Sequence, residues 1–568
     1  PKSSISRIGN GSLGGKARGL AFVSTLINKE KFQRKFDNVE ILIPAAVVLS
    51  SDIFDHFVEQ NNLHTFALAA DDDPRIMQRF LAAETYPSKL IENINILLEI
   101  ENGPLAVRSS SLLEDSRNQP FAGVYNTYML PNKGTFEVRR AQLLRAIKRV
   151  YASTFLSEAK HYIKATSFRL EEERMAVIIQ KLVGKSHKNR FYPDLSGVAR
   201  SHNFYPIKPQ TSKDGIVSIA LGLGKMVVEG GASVRFCPKY PTRTNMQGNT
   251  KTVLAEAQDY FYSLNLAGSH PGASVEDKFI QKNPLSLAEE DGTLAFSGST
   301  YSIENDAIYE GVSRPGRRMV TFASLLKNKG FPLAKICKSI LKIGSRGMGI
   351  PVEIEFAASL STNPSKPHQF GILQMRPMVL SREMEILDIS GHMTEDLFCK
   401  SSHVLGNGII DDVFDVVFVN RETFDRSKSR ETASIINKLN TKLLNDERPY
   451  LLVGVGRWGS LDPWLGIPVS WDMINGARAI VETDFIDFRV SPSQGSHFFQ
   501  NLTSFQVGYF TLNSTSKEDF LDWNWLMQQN EVENMESIVH LRFDKPIVIK
   551  MNGHENKGVI LKPGSTAY

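Results

Sequence analysis

The sequence predicts a two-domain protein of α+β or α/β class, and three observations carry that prediction. Apolar strand-like runs alternate with long amphipathic helices over the first 380 or so residues. Near residue 381 the texture changes, and "SREMEILDISGHMTEDLFCKSSHVLGNG" mixes charge, Ser and Gly as a domain boundary does. All five tryptophans (Trp458, Trp464, Trp471, Trp523 and Trp525) lie beyond that point. A chain of 568 residues has room for more than one domain, and the simplest division is 1–384 and 385–568.

The elements follow in order. Residues 39–51, "VEILIPAAVVLSS", read as a buried strand, and the next ten carry Phe54, Phe57 and Val58 at helical spacing. Between 137 and 164, Leu144, Ile147, Tyr151 and Phe155 mark one face of a long amphipathic helix. Strands are then expected at 175–183 (MAVIIQKLV), 215–224 (GIVSIALGLG), 352–360 (VEIEFAASL) and 370–380 (FGILQMRPMVL). In the second domain Ile480 and Val481 end a strand, "VGYFTLN" forms another, and a closing hairpin turns at Asn552 and Gly553.

Composition excludes several classes. With 42% hydrophobic and 22% charged residues the chain is globular rather than disordered. A net charge of +5, spread along the whole length, predicts no dedicated nucleic-acid surface. Cys237, Cys337 and Cys399 lie far apart without CxxC or Cys/His pairing, which argues against disulfides or structural zinc and fits a reducing cytoplasm. No apolar run approaches the roughly 18 residues of a membrane span. The opening "PKSSISRIGNGS" has no signal-peptide core and no methionine, so an upstream domain is compatible with the sequence.

Three groups of residues are suited to phosphate, the third drawn from two strands. "GNGSLGGKARGLAF" (9–22) contains G-x-G-x-x-G, but no strand is evident before it, and it fails the P-loop pattern at Asn10 and Ala17. A glycine-rich turn opening a helix still presents bare N–H groups to an anion, and Lys16 adds a charge. The alternative is a loop with a solvated lysine. In "PLAVRSSSLLEDS" (104–116) a strand ends in Arg108 and three serines; the guanidinium suits phosphate, unless Glu114 or Asp115 satisfies it. On "VEIEF", Glu353 and Glu355 share a strand face, as Gln374 and Arg376 do on "ILQMRP". Two carboxylates so close call for a cation, and magnesium, which takes oxygen ligands and bridges nucleotide phosphates, is the natural one. The alternative is a solvated polar face.

The ordered motifs "GGKARGLAF", "IPAAVVLSS", "AVRSSSLLEDS…FAGVYNTY", "AIKRVYAS", "MAVIIQKLV", "GLGKMVVEGG" and "ILQMRPM" resemble the nucleotide-binding domain of phosphoenolpyruvate synthase and pyruvate phosphate dikinase over residues 7–380. The resemblance implies an ATP-grasp fold that binds ATP with Mg2+. It places Lys16 and Arg108 at phosphate-contacting positions, Glu355 and Gln374 at magnesium-associated ones, and Arg376 at the motif's end. Glu353 stands where a carboxylate precedes the metal-binding glutamate. "MAVIIQKLV", with Gln180 and Lys181, and "GLGKMVVEGG" would line adenine and ribose. Two departures stand out: Lys225 replaces an acid that helps hold the nucleotide, and 184–214 is longer and more polar than the family's region. The roughly 185 residues after the first domain are also too few for the dikinase phosphoenolpyruvate barrel of about 250 plus a carrier. The chain resembles dikinase-like proteins with a "GRWGS…LGIPV…GSHFFQNL" C-terminal region.

In that region, "LLVGVGRWGSLDPWLGIPVSW" (451–471) reads as a strand and a tight glycine turn packed by Trp458 and Trp464, or as a tryptophan-rich face that docks a protein partner. His497 opens a helix with Phe498, Phe499 and Leu502 on its apolar face, an arrangement that suits a phosphate-accepting nitrogen. The dikinase carrier histidine follows a similar short stretch, although the flanks here differ; a capping histidine, or a site residue of another kind, is the alternative. The leading expectation is a dikinase-type, ATP-dependent phosphotransferase with Arg108, Arg376 and His497 in catalytic roles and an unidentified phosphate acceptor. A non-catalytic ATP-sensing or scaffold module is the competing one, and a C-terminal domain that binds a carbohydrate or small acceptor is the third.

Overall fold

The computed structural model describes residues 5–111, 114, 124–164, 169–204, 206–207, 209–247, 249–267, 279–327, 330–378, 394–460, 462, 464–486, 497–504, 507–513, 516, 518–553 and 555–565. The chain divides into two compact units. One comprises Pro1–Val227, Ala232–Thr250 and Ala257–Met378; the other comprises Val228–Gly231, Lys251–Glu256 and Val379–Tyr568.

Two sheets frame the first unit. Five strands run in the order Ile5–Ile8, Ala46–Leu49, Met175–Lys181, Leu105–Ser111 and Thr127–Leu130; the first pair is parallel and the others antiparallel. Seven strands form the second sheet, in the order Tyr240–Thr244, Val234–Cys237, Ile216–Ala220, Leu195–Arg200, Val352–Ser359, His368–Pro377 and Val39–Leu42. The single strand expected over 39–51 is therefore two short strands that belong to different sheets. Pro44 lies between them, and a proline fixes φ and removes a ladder donor, so one strand does not run through. The helix expected over 137–164 likewise divides, into Phe136–Ser153 and Ser157–Lys164.

Helix Gly14–Lys29 joins the two sheets. Its buried stripe of Ala17, Leu20, Val23 and Ile27 has helical spacing. That stripe shares one apolar core with Val48, Ala176 and Ile178 of the five-stranded sheet and with Ile354, Ile372 and Met375 of the seven-stranded sheet. Gly19 makes the approach possible, because a Cβ there would lie 2.4 Å from the Met375 carbonyl oxygen.

The second unit is built on one sheet ordered Val404–Leu405, Gly508–Thr511, Ala477–Thr483, Tyr450–Val455, Gly408–Val419, Ile538–Asn552, Lys557–Leu561, Leu397–Ser401 and Phe520–Leu521; Glu531–Met535 also pairs with Ile538–Asn552. Four adjacent strands are parallel: Gly408–Val419, Tyr450–Val455, Ala477–Thr483 and Gly508–Thr511. Parallel neighbours need crossovers, and helices Ser429–Asn445 and His497–Ser504 lie in two of them. The closing hairpin pairs Ile538–Asn552 with Lys557–Leu561. The tryptophans do not make one exposed face. Trp458, Trp471 and Trp523 are buried, and Trp525 stacks on Phe543 with ring centres 5.6 Å apart. Trp464 stands out at 65% exposure.

Candidate functional site

The site in the first unit starts from strand register. Val352–Ser359 pairs antiparallel with His368–Pro377, setting Glu353 opposite Arg376 and Glu355 opposite Gln374. Beyond that pair the register shifts, so that Phe356 faces Ile372 and Leu373 is the extra residue of a bulge. Arg108 reaches this point from the five-stranded sheet. Its Nη1 donates to the Leu373 carbonyl at 3.0 Å, and its Nη2 donates to Glu355 Oε2 at 3.0 Å and Gln374 Oε1 at 2.8 Å. Glu114 is not among these partners of Arg108, and Asp115, the other candidate, lies outside the described residues. Its counter-ion comes from the other sheet.

Glu353 has a different environment from Glu355. It is 3% exposed, and both its oxygens are taken: Arg200 Nε lies 2.5 Å from Oε2 and Arg376 Nε 2.8 Å from Oε1. Burial pushes its carboxyl pKa up, but the two guanidiniums outweigh that and hold it down at about 2. The expected metal-side role for Glu353 therefore meets a carboxylate already enclosed by two arginines. Arg376 also lies 4.0 Å from Glu355 Oε1, so the arginine and both carboxylates form one charge chain.

Lys16 is positioned by the start of its helix. Gly14 has φ +72°, and a Cβ there would lie 1.7 Å from the Ser110 carbonyl oxygen, so the helix packs directly on the Arg108 strand. Ser110 Oγ accepts from the Ala17 N–H at 3.0 Å and donates to the Leu13 carbonyl at 2.8 Å. Lys16 Nζ then meets Glu114 Oε1 at 2.6 Å and Ser109 Oγ at 3.1 Å. Glu114 Oε2 accepts from the Ser111 N–H at 2.8 Å. The three serines are fully buried and hold the helix and Glu114.

The glycine turn before Lys16 also differs from its reading. The short strand Ile5–Ile8 does precede it; Ser6 and Arg7 interrupt the apolar pattern that would have marked a strand. The N–H groups of Asn10 and Gly11 both donate to the Asp52 carboxylate at 2.9 Å, and that of Ser12 donates to Ser51 Oγ at 3.0 Å. Burial alone would raise the Asp52 pKa, but these bonds and Ser50 bring it to about 2. The turn cradles an internal carboxylate.

Gln180 and Lys181 end strand Met175–Lys181. Gln180 is buried, with Nε2 lacking a partner among the described residues, whereas Lys181 is exposed and 3.2 Å from Glu101. Lys225 lies with its Nζ 5.6 Å from the Tyr262 ring centre. His497 belongs to the second unit, as the half-buried first residue of helix His497–Ser504. Thus Lys16, Arg108, Glu355, Gln374 and Arg376 belong to one unit and His497 to the other. Sequence reasoning missed Arg200 and the Leu373 carbonyl: Arg200 faces Glu353 through a register 153 residues long, which leaves no local signal.

Among the described residues no group of three or more His, Cys, Asp or Glu side chains forms a metal cage. Mg2+ does not require one, since it is commonly bound by one or two carboxylates, water and substrate phosphate. Glu355 and Gln374 offer one carboxylate and one amide oxygen of that kind, and in this structure both accept from the same Arg108 nitrogen.

Two largely antiparallel sheets that share a helix form an α+β domain of ATP-grasp type. The chain belongs to the pyruvate phosphate dikinase, AMP/ATP-binding domain family, which matches residues 10–391. It is 26% identical over 196 residues to the uncharacterized phosphotransferase YvkC of Bacillus subtilis, covering 34% of this chain and 20% of that protein. It is 26% identical over 215 residues to a probable phosphoenolpyruvate synthase of Methanocaldococcus jannaschii, covering 34% and 17%. A rifampicin phosphotransferase of Bacillus cereus is 31% identical over 127 residues, covering 22% and 12%. The chain therefore matches a fifth or less of the length of each of these relatives. Among the described residues no helix is long and apolar enough to cross a membrane.

Proposed function

We propose that the protein is an ATP-dependent phosphotransferase of the dikinase type. The observation that carries the reading is Arg108 bridging two sheets to Glu355 and Gln374. In this reading Lys16, Arg108 and Arg376 hold nucleotide phosphates, and Glu355 with Gln374 holds Mg2+. Bound magnesium would supply charge neutralisation on the phosphates. The chain's own contribution is orientation: Arg108 and Arg376 are fixed by carboxylates before substrate arrives, so little reorganisation accompanies charge development during transfer. Gln180 and Lys181 lie on the nucleobase and ribose side. His497 is the proposed phosphate carrier; the final acceptor is a separate molecule. If the dikinase route is followed, His497 attacks the β-phosphorus and AMP leaves; the γ-phosphoryl group then passes from the pyrophosphoryl-histidine to water or inorganic phosphate, and the β-phosphate stays on His497.

The test is labelled turnover. Mg-ATP carrying label at either the β or the γ position is incubated with the full chain, and AMP, ADP and acid-labile protein phosphate are followed. Protein label from the β position, absent in His497→Ala, is the expected result. Label that persists in that variant eliminates His497 as the carrier. One observation favours a second reading, an ATP-sensing module without transfer: Lys225 puts a cation near Tyr262 where the family has an acid. Tight ATP binding without AMP, ADP or label, even with candidate acceptors supplied, supports that reading.

A further inference from the structure

A second candidate site lies wholly within the second unit and stands apart from the nucleotide reading. A cavity of about 440 Å³ is lined by Arg421, Phe424, Asp425, Arg426, Ser427, Val455, Trp464, Phe485 and Ile486. Cavities of roughly 300 to 1,000 Å³ are the usual size for small-molecule sites. Its place in the fold is informative. Arg421 to Ser427 follow strand Gly408–Val419, Val455 ends strand Tyr450–Val455, and Phe485 and Ile486 follow strand Ala477–Thr483. These three strands are adjacent and parallel, so the cavity sits at their carboxyl ends, where open α/β sheets bind ligands.

The lining has two chemistries. Phe424 and Phe485 stack nearly parallel, with ring centres 6.2 Å apart, and Trp464 and Ile486 are 65% and 69% exposed. Arg426 lies over the Phe485 ring at 4.3 Å, and Arg421 lies over Trp523 at 5.1 Å. Arg421 Nε is buried and has no hydrogen-bond partner among the described residues. That nitrogen is shielded from solvent, so what Arg421 brings to the cavity wall is its positive charge rather than this N–H. The lining acid, Asp425, is turned into its own loop: its carboxylate accepts from the Ser427 N–H at 2.9 Å and from Ser427 Oγ at 2.7 Å, which lowers its pKa. With Asp425 so engaged, Arg421 is the cation whose charge the cavity wall offers.

The glycine-rich turn singled out in the sequence explains how this wall forms. Gly456 has φ +72°, and a Cβ there would lie 2.3 Å from the Phe485 ring. Only glycine lets Phe485 fold over the end of strand Tyr450–Val455. Gly459 similarly accommodates Phe498, the residue after His497, whose ring a Cβ would meet at 2.3 Å.

We propose that this cavity binds a small organic anion, a carboxylate or phosphate monoester carried on a planar apolar body, with Arg421 and Arg426 on the anion and Phe424, Phe485 and Trp464 on the body. The probes are 4-nitrobenzoate, 4-nitrophenyl phosphate and the neutral 4-nitrobenzyl alcohol, titrated into the full chain by equilibrium dialysis and by quenching of tryptophan emission. At least one anion is expected to bind saturably, and which one does separates the carboxylate source from the phosphate source. Arg421→Met is expected to weaken that binding by roughly tenfold or more. Trp464→Phe should reduce the quenching while dialysis still registers binding. Lys16→Met should leave probe binding unchanged, which separates this site from the nucleotide site. If Arg421→Met fails to fold, the half-exposed Arg426→Gln is read in its place, with the same expected weakening. The proposal is overturned if neither anion saturates, if the arginine variant that folds binds like the parent, if the neutral alcohol binds equally well, or if Lys16→Met abolishes binding.

Discussion

Arg108 Nη2 lies 3.0 Å from Glu355 Oε2 and 2.8 Å from Gln374 Oε1, across a sequence separation of more than 240 residues. One guanidinium nitrogen thus claims both oxygens proposed for magnesium. The side chains of Arg108 and Glu355 are only 12% and 14% exposed, so the pair is largely withdrawn from water. Removing one partner leaves a charge uncompensated, a loss of about 2 to 5 kcal/mol in comparable buried contacts. Arg108→Met is expected to weaken Mg-ATP binding by roughly tenfold or more, measured by calorimetry. Arg108→Lys should not restore it, because an ammonium lacks the fork that also reaches the Leu373 carbonyl. Glu355→Gln should weaken the magnesium dependence of binding while leaving magnesium-free nucleotide binding intact or stronger.

The Arg200–Glu353–Arg376 triad predicts an effect on stability. Arg200→Met leaves Glu353 buried with one arginine, and the expected destabilisation is about 3 to 5 kcal/mol, read from the denaturant midpoint. The pH dependence has a definite sign. The folded pKa of Glu353, about 2, lies below its ordinary 4.5, so its contribution is complete above pH 4.5 and is lost as pH falls toward 2. Glu353→Gln should remove that part of the acid transition and also lower stability at neutral pH, where two arginines would lose their counter-ion.

How much of this was legible in the sequence depends on the range of each contact. The shared face of Glu353 and Glu355, and that of Gln374 and Arg376, follow from a period of two and appear as cross-strand pairs. The closing hairpin and the helix opened by His497 were similarly local. What the residues did not disclose was competition. Asp52 takes the N–H groups of the glycine turn, the serines hold a helix, and Arg200 arrives from a strand 153 residues before Glu353. Each of these depends on which strands become neighbours, information that no window of ten residues contains. Pro44 was visible, yet its consequence, one apolar run divided between two sheets, required the topology.

Gly14 tests whether helix placement controls the nucleotide site. An alanine there faces both a left-handed φ and a backbone oxygen 1.7 Å from its Cβ, and neither is relieved by rotating a side chain. The strain alone is of order 1 to 3 kcal/mol. Gly14→Ala should lower the thermal midpoint and weaken ATP binding together, because Lys16 moves with the helix. Gly292→Ala is the control: its φ is +75°, but no atom lies within 4 Å of the added Cβ. It should lower the midpoint through strain alone and leave ATP affinity unchanged.

Glu173 gives a pH signature of opposite sign. It is 3% exposed, and burial, with the nearby Glu114 charge adding to it against a bond from Ser111, raises its pKa to about 7. A folded pKa above the ordinary 4.5 means that the native state holds this proton more tightly than the unfolded chain does. The associated stability is complete below pH 4.5 and is lost as pH rises through 7, by an amount on the order of 3 kcal/mol. Glu173→Gln keeps the shape and fixes the neutral form. It should match the parent near pH 4.5, exceed it near pH 8, and flatten the intervening fall in denaturant midpoint. Because Glu114 also holds Lys16 at 2.6 Å, deprotonating Glu173 places a second negative charge beside the lysine's counter-ion. ATP affinity in the parent should therefore change between pH 6 and 8, and the change should be absent in Glu173→Gln. Equal pH dependence in the two proteins would show that Glu173 does not change its charge within this range.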